Sequence, residues 1–148
     1  MDIKNFIAGM QIAGTRIVEC TISNNFVSFG RDPDDLDISV DYKITSIQEQ
    51  EEAKLGIMQV HVAISYRDDD GNSFSMDVTN EGGFHVPLET NNEEFGKMLA
   101  INGTACLYSL ARAFVSTVTS LSFACGNILL PLINTVRVCE SAENEQDN

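Results

Sequence analysis

MLAINGTACLYSLARAFVSTVTSLSFACGNILLPLINTV, residues 98–136, carries a single charged side chain, Arg112, in a chain of 148 residues whose formal net charge is −13. A helix that covers one face of a monomeric core keeps its charges on the face that meets water. This stretch has almost none to keep. On a helical wheel Leu107, Leu110, Ala111, Phe114, Val118 and Leu121 form one apolar stripe. The other side offers Ala113, Ser116, Thr117 and Ser120, small or hydroxyl-bearing groups that pack closely against another protein surface. Both sides read as buried, so the segment points to self-assembly, with Leu107, Arg112, Ala113, Ser116, Thr117 and Ser120 as the expected oligomer contacts.

Upstream, the chain reads as an antiparallel sheet. From Asp37 to Ile44 apolar Ile38, Val40, Tyr42 and Ile44 alternate with polar neighbours, the period-two pattern of a half-buried strand. Met58 to Tyr66 and Phe74 to Val78 repeat it, with Asp69-Asp70-Gly71-Asn72 marking the hairpin between them. A weaker first strand holds Met10 and Ile12, then Val18, Cys20 and Ile22, with Gly14 as a bulge or bend. After Glu81-Gly82-Gly83 a short extended piece, Phe84 to Pro87, leads to Thr90-Asn91-Asn92-Glu93, which has the spacing of a capping box. The helix it opens is expected to break or kink at Asn102-Gly103 and to resume from about Thr104 to Leu121. Residues 1–138 read as a single α+β domain in which one long helix packs on a four-stranded antiparallel sheet, and the acidic run 139–148 reads as a disordered tail.

Composition narrows the function. Cys20, Cys106, Cys125 and Cys139 are scattered and form no paired-cysteine motif, which fits buried thiols in a reducing compartment and no zinc site. The start, MDIKNFIAGM, lacks a basic segment followed by a sustained apolar run, so a cytoplasmic location is expected. Asn102, Arg112, Gly126-Asn127 and Pro131 interrupt the charge-poor stretch, which argues against direct membrane insertion. An excess of acidic residues, 22 against 9 basic ones, repels a phosphate backbone and makes nucleic acid a poor partner. His61 and His85 have no carboxylate or cysteine set nearby in sequence, Asp68 to Asn72 lacks the twelve-residue ligand pattern of a calcium loop, and Gly82-Gly83 lacks the lysine of a phosphate loop. No catalytic constellation, metal site or cofactor motif is legible, and a non-enzymatic role is expected. Arg112 reads as a side chain that sets geometry in an apolar seam.

The order of these elements resembles the SecB protein-export chaperone family. The strand leading into Gly82-Gly83-Phe84-His85-Val86 looks like that family's Gly-Gly strand followed by an aromatic-rich crossover. Leu107 to Ser116, LYSLARAFVS, is similar to the start of its main helix, and Leu129-Leu130-Pro131-Leu132-Ile133-Asn134 resembles the proline-containing segment after that helix. The resemblance implies a homotetramer built as a dimer of dimers, ATP-independent holding of unfolded preproteins or other unfolded polypeptides in apolar grooves, and delivery to the SecA motor. By position it implies Phe84, Val86, Phe123, Leu129, Leu130 and Leu132 as groove residues and Glu19 and Asp77 as partner-docking residues. Ser23 and Ser75 stand where the family has an acidic and an apolar docking residue, which leaves export open beside a dedicated client such as an antitoxin, or a structural oligomer without clients. Fourteen residues follow Asn134, so the family's second C-terminal helix reads as truncated.

Overall fold

A computed structural model describes residues 8–25, 36–123 and 126–146 of the chain. Met1 to Ile7, on which the reading of the N-terminus rests, and Cys125 lie outside the described residues. Strands β1 (Gln11–Asn24), β2 (Asp37–Glu49), β3 (Lys54–Arg67) and β4 (Ser73–Val86) form one antiparallel sheet in the order β1-β4-β3-β2. A continuous helical run follows: α1 (Asn92–Met98), a π turn (Leu99–Gly103) and α2 (Thr104–Ser122). A last helix, α3, spans Thr135–Gln146.

The period-two pattern places Met58, Val60, Val62, Ile64 and Tyr66 of β3, with Phe74, Met76 and Val78 of β4, in one core beneath the helix. The β3–β4 hairpin closes at Gly71, whose φ of +85° suits glycine, while the Asp68 carboxylate accepts from the backbone and side chain of Asn72 at 2.8 Å each. Strand β4 passes straight through Gly82-Gly83, and Phe84 and Val86 are strand residues rather than a separate crossover. Gly82 faces the helix, where a Cβ would stand 2.8 Å from both Leu107 Cδ2 and the Phe84 ring. The glycine therefore admits the helix rather than ending the strand.

In β1 the register shifts between Ile12 and Gly14 and again between Ile17 and Glu19. The first irregularity sits beside the expected bulge at Gly14. The second moves Val18 out of line, so that Ile17, Cys20 and Ile22 share the helix-side face opposite Asn80, Val78 and Met76.

The helix does not break at Asn102-Gly103; it widens by a π turn and continues. The N-cap is Asn91, whose side chain accepts from the Glu94 N–H at 2.7 Å. Buried Lys54 on β3 reaches Asn92 Oδ1 at 3.1 Å and Glu49 at 3.2 Å, tying the helix start to the sheet. The stripe that meets the sheet comprises Leu107, Tyr108, Ala111, Val115 and Thr119. Leu110 and Leu121 are exposed, so the burial face is rotated from the one the apolar positions alone describe. The run Asn92–Ser122 is long and apolar enough to cross a membrane by composition, and packing against the sheet accounts for its inward side. Helix α3 occupies much of the stretch read as a disordered tail; Asn134 Oδ1 accepts from the Val136 and Arg137 N–H groups at 3.1 and 3.3 Å and starts it.

Among the described residues, one buried side-chain polar atom lacks a hydrogen bond: Thr104 Oγ1, at the start of α2. An unpaired buried hydroxyl is destabilising. Thr104→Val, nearly the same shape, should therefore raise the free energy of unfolding by about 1 kcal/mol, read as a higher urea midpoint with an unchanged slope. A lower midpoint would show that the hydroxyl has a partner in solution.

Candidate peptide-binding groove and its supporting stripe

Four side chains along α2 hold the segment that returns beside it. Tyr108 donates its hydroxyl to Pro131 O at 2.8 Å, and Arg112 donates through Nε to Leu130 O at 2.8 Å. Ser116 Oγ accepts from Asn127 Nδ2 at 2.6 Å, and Thr119 Oγ1 accepts from the Ile128 N–H at 2.8 Å. Positions 108, 112, 116 and 119 lie on one helical face, so they read the returning segment almost continuously. Burial pushes the Tyr108 phenol above its ordinary value, against the opposing pull of the Arg112 charge. With its carbonyls and amides held, the segment turns Ile128 and Leu130 into the core and leaves Leu129 and Leu132 outside, 57% and 84% exposed.

Of the groove residues inferred from the family resemblance, Phe84, Val86, Phe123 and Leu130 are therefore core residues of the protomer. Phe84 and Val86 occupy helix-facing positions of β4, and Phe123 packs at a tilt against Phe74 with ring centroids 5.4 Å apart. Leu129 and Leu132 remain available to another molecule. Leu107 and Arg112, expected at an oligomer contact, are likewise committed inside the chain, Leu107 to the sheet and Arg112 to Leu130. Ser116 is half-buried and holds Asn127, while Ala113, Thr117 and Ser120 are exposed along α2.

A groove of about 470 Å³ runs between β2 and α3. Val40 and Tyr42 form one wall, Ile133 and Val138 the other, and Asp41 and Arg137 place opposite charges along it. The buried Cys139 thiol donates to Ala100 O in the π turn at 3.1 Å and helps seat α3. This groove escaped the sequence reading because it needs α3 to be a helix; the signal present was Asn134, a capping residue ahead of apolar Val136, Val138 and Cys139.

The opposite face of the sheet is polar. Glu19 and Asp77 both lie on it, on adjacent strands, and His61 Nε2 is 3.1 Å from Asp77 Oδ1. Glu81 accepts from Gln59 at 2.8 Å and from Arg16 at 2.7 Å, which hold its carboxyl below the ordinary range. No group of histidine, cysteine and carboxylate side chains among the described residues is arranged to hold a metal.

This architecture is the SecB-like fold: a four-stranded antiparallel sheet with a long helix and a short C-terminal one. A solved SecB-like chaperone of Mycobacterium tuberculosis, determined in complex with a ChAD peptide from an antitoxin, matches with a TM-score of 0.56 and 18% identity over 84% of this chain and 90% of that one. A protein of unknown function from Streptococcus agalactiae matches with a TM-score of 0.47 and 12% identity over 83% of this chain and 97% of that one. No family model and no curated protein matches the sequence.

The hydrogen-bonded stripe has a measurable consequence. Arg112→Met keeps the aliphatic stem but removes a charged donor from the Leu130 carbonyl, at a cost of about 1.5 kcal/mol. Amide exchange of residues 128–133 should accelerate about tenfold, with α2 itself still protected. Unchanged exchange there would show that Tyr108, Ser116 and Thr119 hold the segment without it.

Proposed function

We propose that the protein is a molecular chaperone that holds extended or unfolded polypeptide without using ATP, its clients lying in the groove between β2 and α3 and across the exposed Leu129 and Leu132. The observation that carries the reading is the groove itself: a trough along edge strand β2 with apolar walls of Val40, Tyr42, Ile133 and Val138 and the charges of Asp41 and Arg137 along it, in a chain whose net charge of −13 keeps apolar surface soluble. The likeness of fold to a SecB-like chaperone supports it. That chaperone's antitoxin peptide favours a dedicated client of the same kind as one form of the reading. Export through the SecA motor is the other form, and the shared placement of Glu19 and Asp77 on the open sheet face supports it. Holding is an equilibrium of burial, in which each apolar client side chain taken from water contributes about 1.5–3 kcal/mol. It needs no catalytic group, and the protein would act in the cytoplasm.

Near-stoichiometric protein should slow the aggregation of a chemically denatured model substrate, followed by light scattering. Leu132→Asp changes an outward-pointing side chain and should weaken that protection several-fold while circular dichroism and melting stay the same. No protection by the wild type at any ratio sinks the chaperone reading.

The assembly reading is a homotetramer. Ile12, Ile17 and Ile22 are exposed on the helix-side face of β1, and α2 exposes Leu110, Ala113, Thr117 and Leu121, so one chain leaves apolar area that a second copy would cover. Thr117→Glu would bury a charge there, at a cost of about 3 kcal/mol or more, and should shift the mass measured by multi-angle light scattering downward. A wild-type monomer at micromolar concentration refutes the assembly.

A further inference from the structure

The groove between β2 and α3 holds an arginine that the fold leaves unused. Arg137 is the one basic side chain among the described residues that line it. Arg16 is engaged by Glu81 and Arg112 by the Leu130 carbonyl, but the Arg137 guanidinium forms no ion pair or hydrogen bond among the described residues. Asp41 lines the same groove and is exposed as well, yet no ion pair closes between the two.

The position of this charge adds to its cost. Arg137 is the third residue of α3, and its N–H and that of Val136 are both taken by the Asn134 side chain. A cation in the first turn stands at the positive end of the helix dipole, where an anion is favoured. Ile133 and Val138 beside it, and Val40 across the groove, are apolar. A guanidinium kept at that end of a helix, unpaired and flanked by apolar walls, has its use in a carboxylate that arrives from outside.

We propose that Arg137 selects clients that carry a glutamate or aspartate within an apolar extended segment. The inference rests on the reading that this groove receives clients, and it names which ones. Alternate side chains of an extended chain share a face, so the apolar residues flanking the acidic one lie against Val40, Ile133 and Val138 while the carboxylate meets the guanidinium as a bidentate pair. Asp41 and the chain's charge of −13 repel any further acidic residue. The favoured segment therefore has one carboxylate and no net negative charge.

The protein contains no tryptophan, so the emission of a peptide tryptophan reports binding alone. The full chain is titrated into acetyl-Lys-Val-Glu-Val-Trp-amide and into its glutamine analogue; both ends are blocked, so glutamate supplies the only carboxylate. The Glu peptide should bind about tenfold tighter, although the charge of the protein as a whole favours the Gln peptide. Arg137→Gln should abolish that preference, and Arg137→Glu should transfer it to a peptide with Lys in place of Glu, an inversion that a merely structural role would not produce. Arg137 is exposed, and melting curves check that both variants fold. Equal affinity of the two peptides for the wild type overturns this proposal and leaves the groove reading standing, whereas no binding of either peptide overturns both. A preference that survives Arg137→Gln also overturns the proposal. So does a Gln peptide with a free C-terminal carboxylate that binds tighter than the blocked Glu peptide, which would give Arg137 to a chain terminus.

Discussion

How closely one helical run can approach the middle of a sheet governs the rest of this fold. Leu99 and Phe95 press on Gly56, and Leu107 presses on Gly82; a Cβ on either glycine would fall within 3 Å of those side chains. Gly103, at the end of the π turn, faces Met58 in the same way. With side chains absent at these points the helix settles onto β3 and β4, and Met58, Val60, Val62, Met76, Val78 and Leu107 close into one core.

That seating leaves a shortage of cover. The continuous helical run of 31 residues, about 46 Å long, matches strands of 13 and 14 residues in length but is too narrow to cover four of them. Helix α3 supplies part of the missing cover over β2 and leaves a trough there, while Ile12, Ile17 and Ile22 on the helix-side face of β1 stay exposed. Groove and assembly surface are thus two consequences of the same mismatch.

The returning segment shows how polar groups set an apolar surface. Tyr108, Arg112, Ser116 and Thr119 bind its backbone and side chains rather than a partner, and the alternation they impose decides which leucines face water. An arginine that reads as an interface charge is here an internal clamp, because a carbonyl 2.8 Å from its Nε is the acceptor within reach.

The strands, the hairpin at Gly71, the long helix and the α+β class were legible in the sequence, because period-two alternation and a charge-poor helical run are local patterns. Side-chain fates within the run were not. Phe84, Val86, Phe123 and Leu130 are apolar whether they face a groove or a core, and composition does not distinguish the two. The rotation of α2, the second shift in β1 and the folding of residues 135–146 as a helix also depended on contacts distant in sequence. Spacing along the chain dictates which segments become strands and which become the long helix, since that pattern is local; which faces remain open follows from packing alone, since exposure is set by what lies against each side.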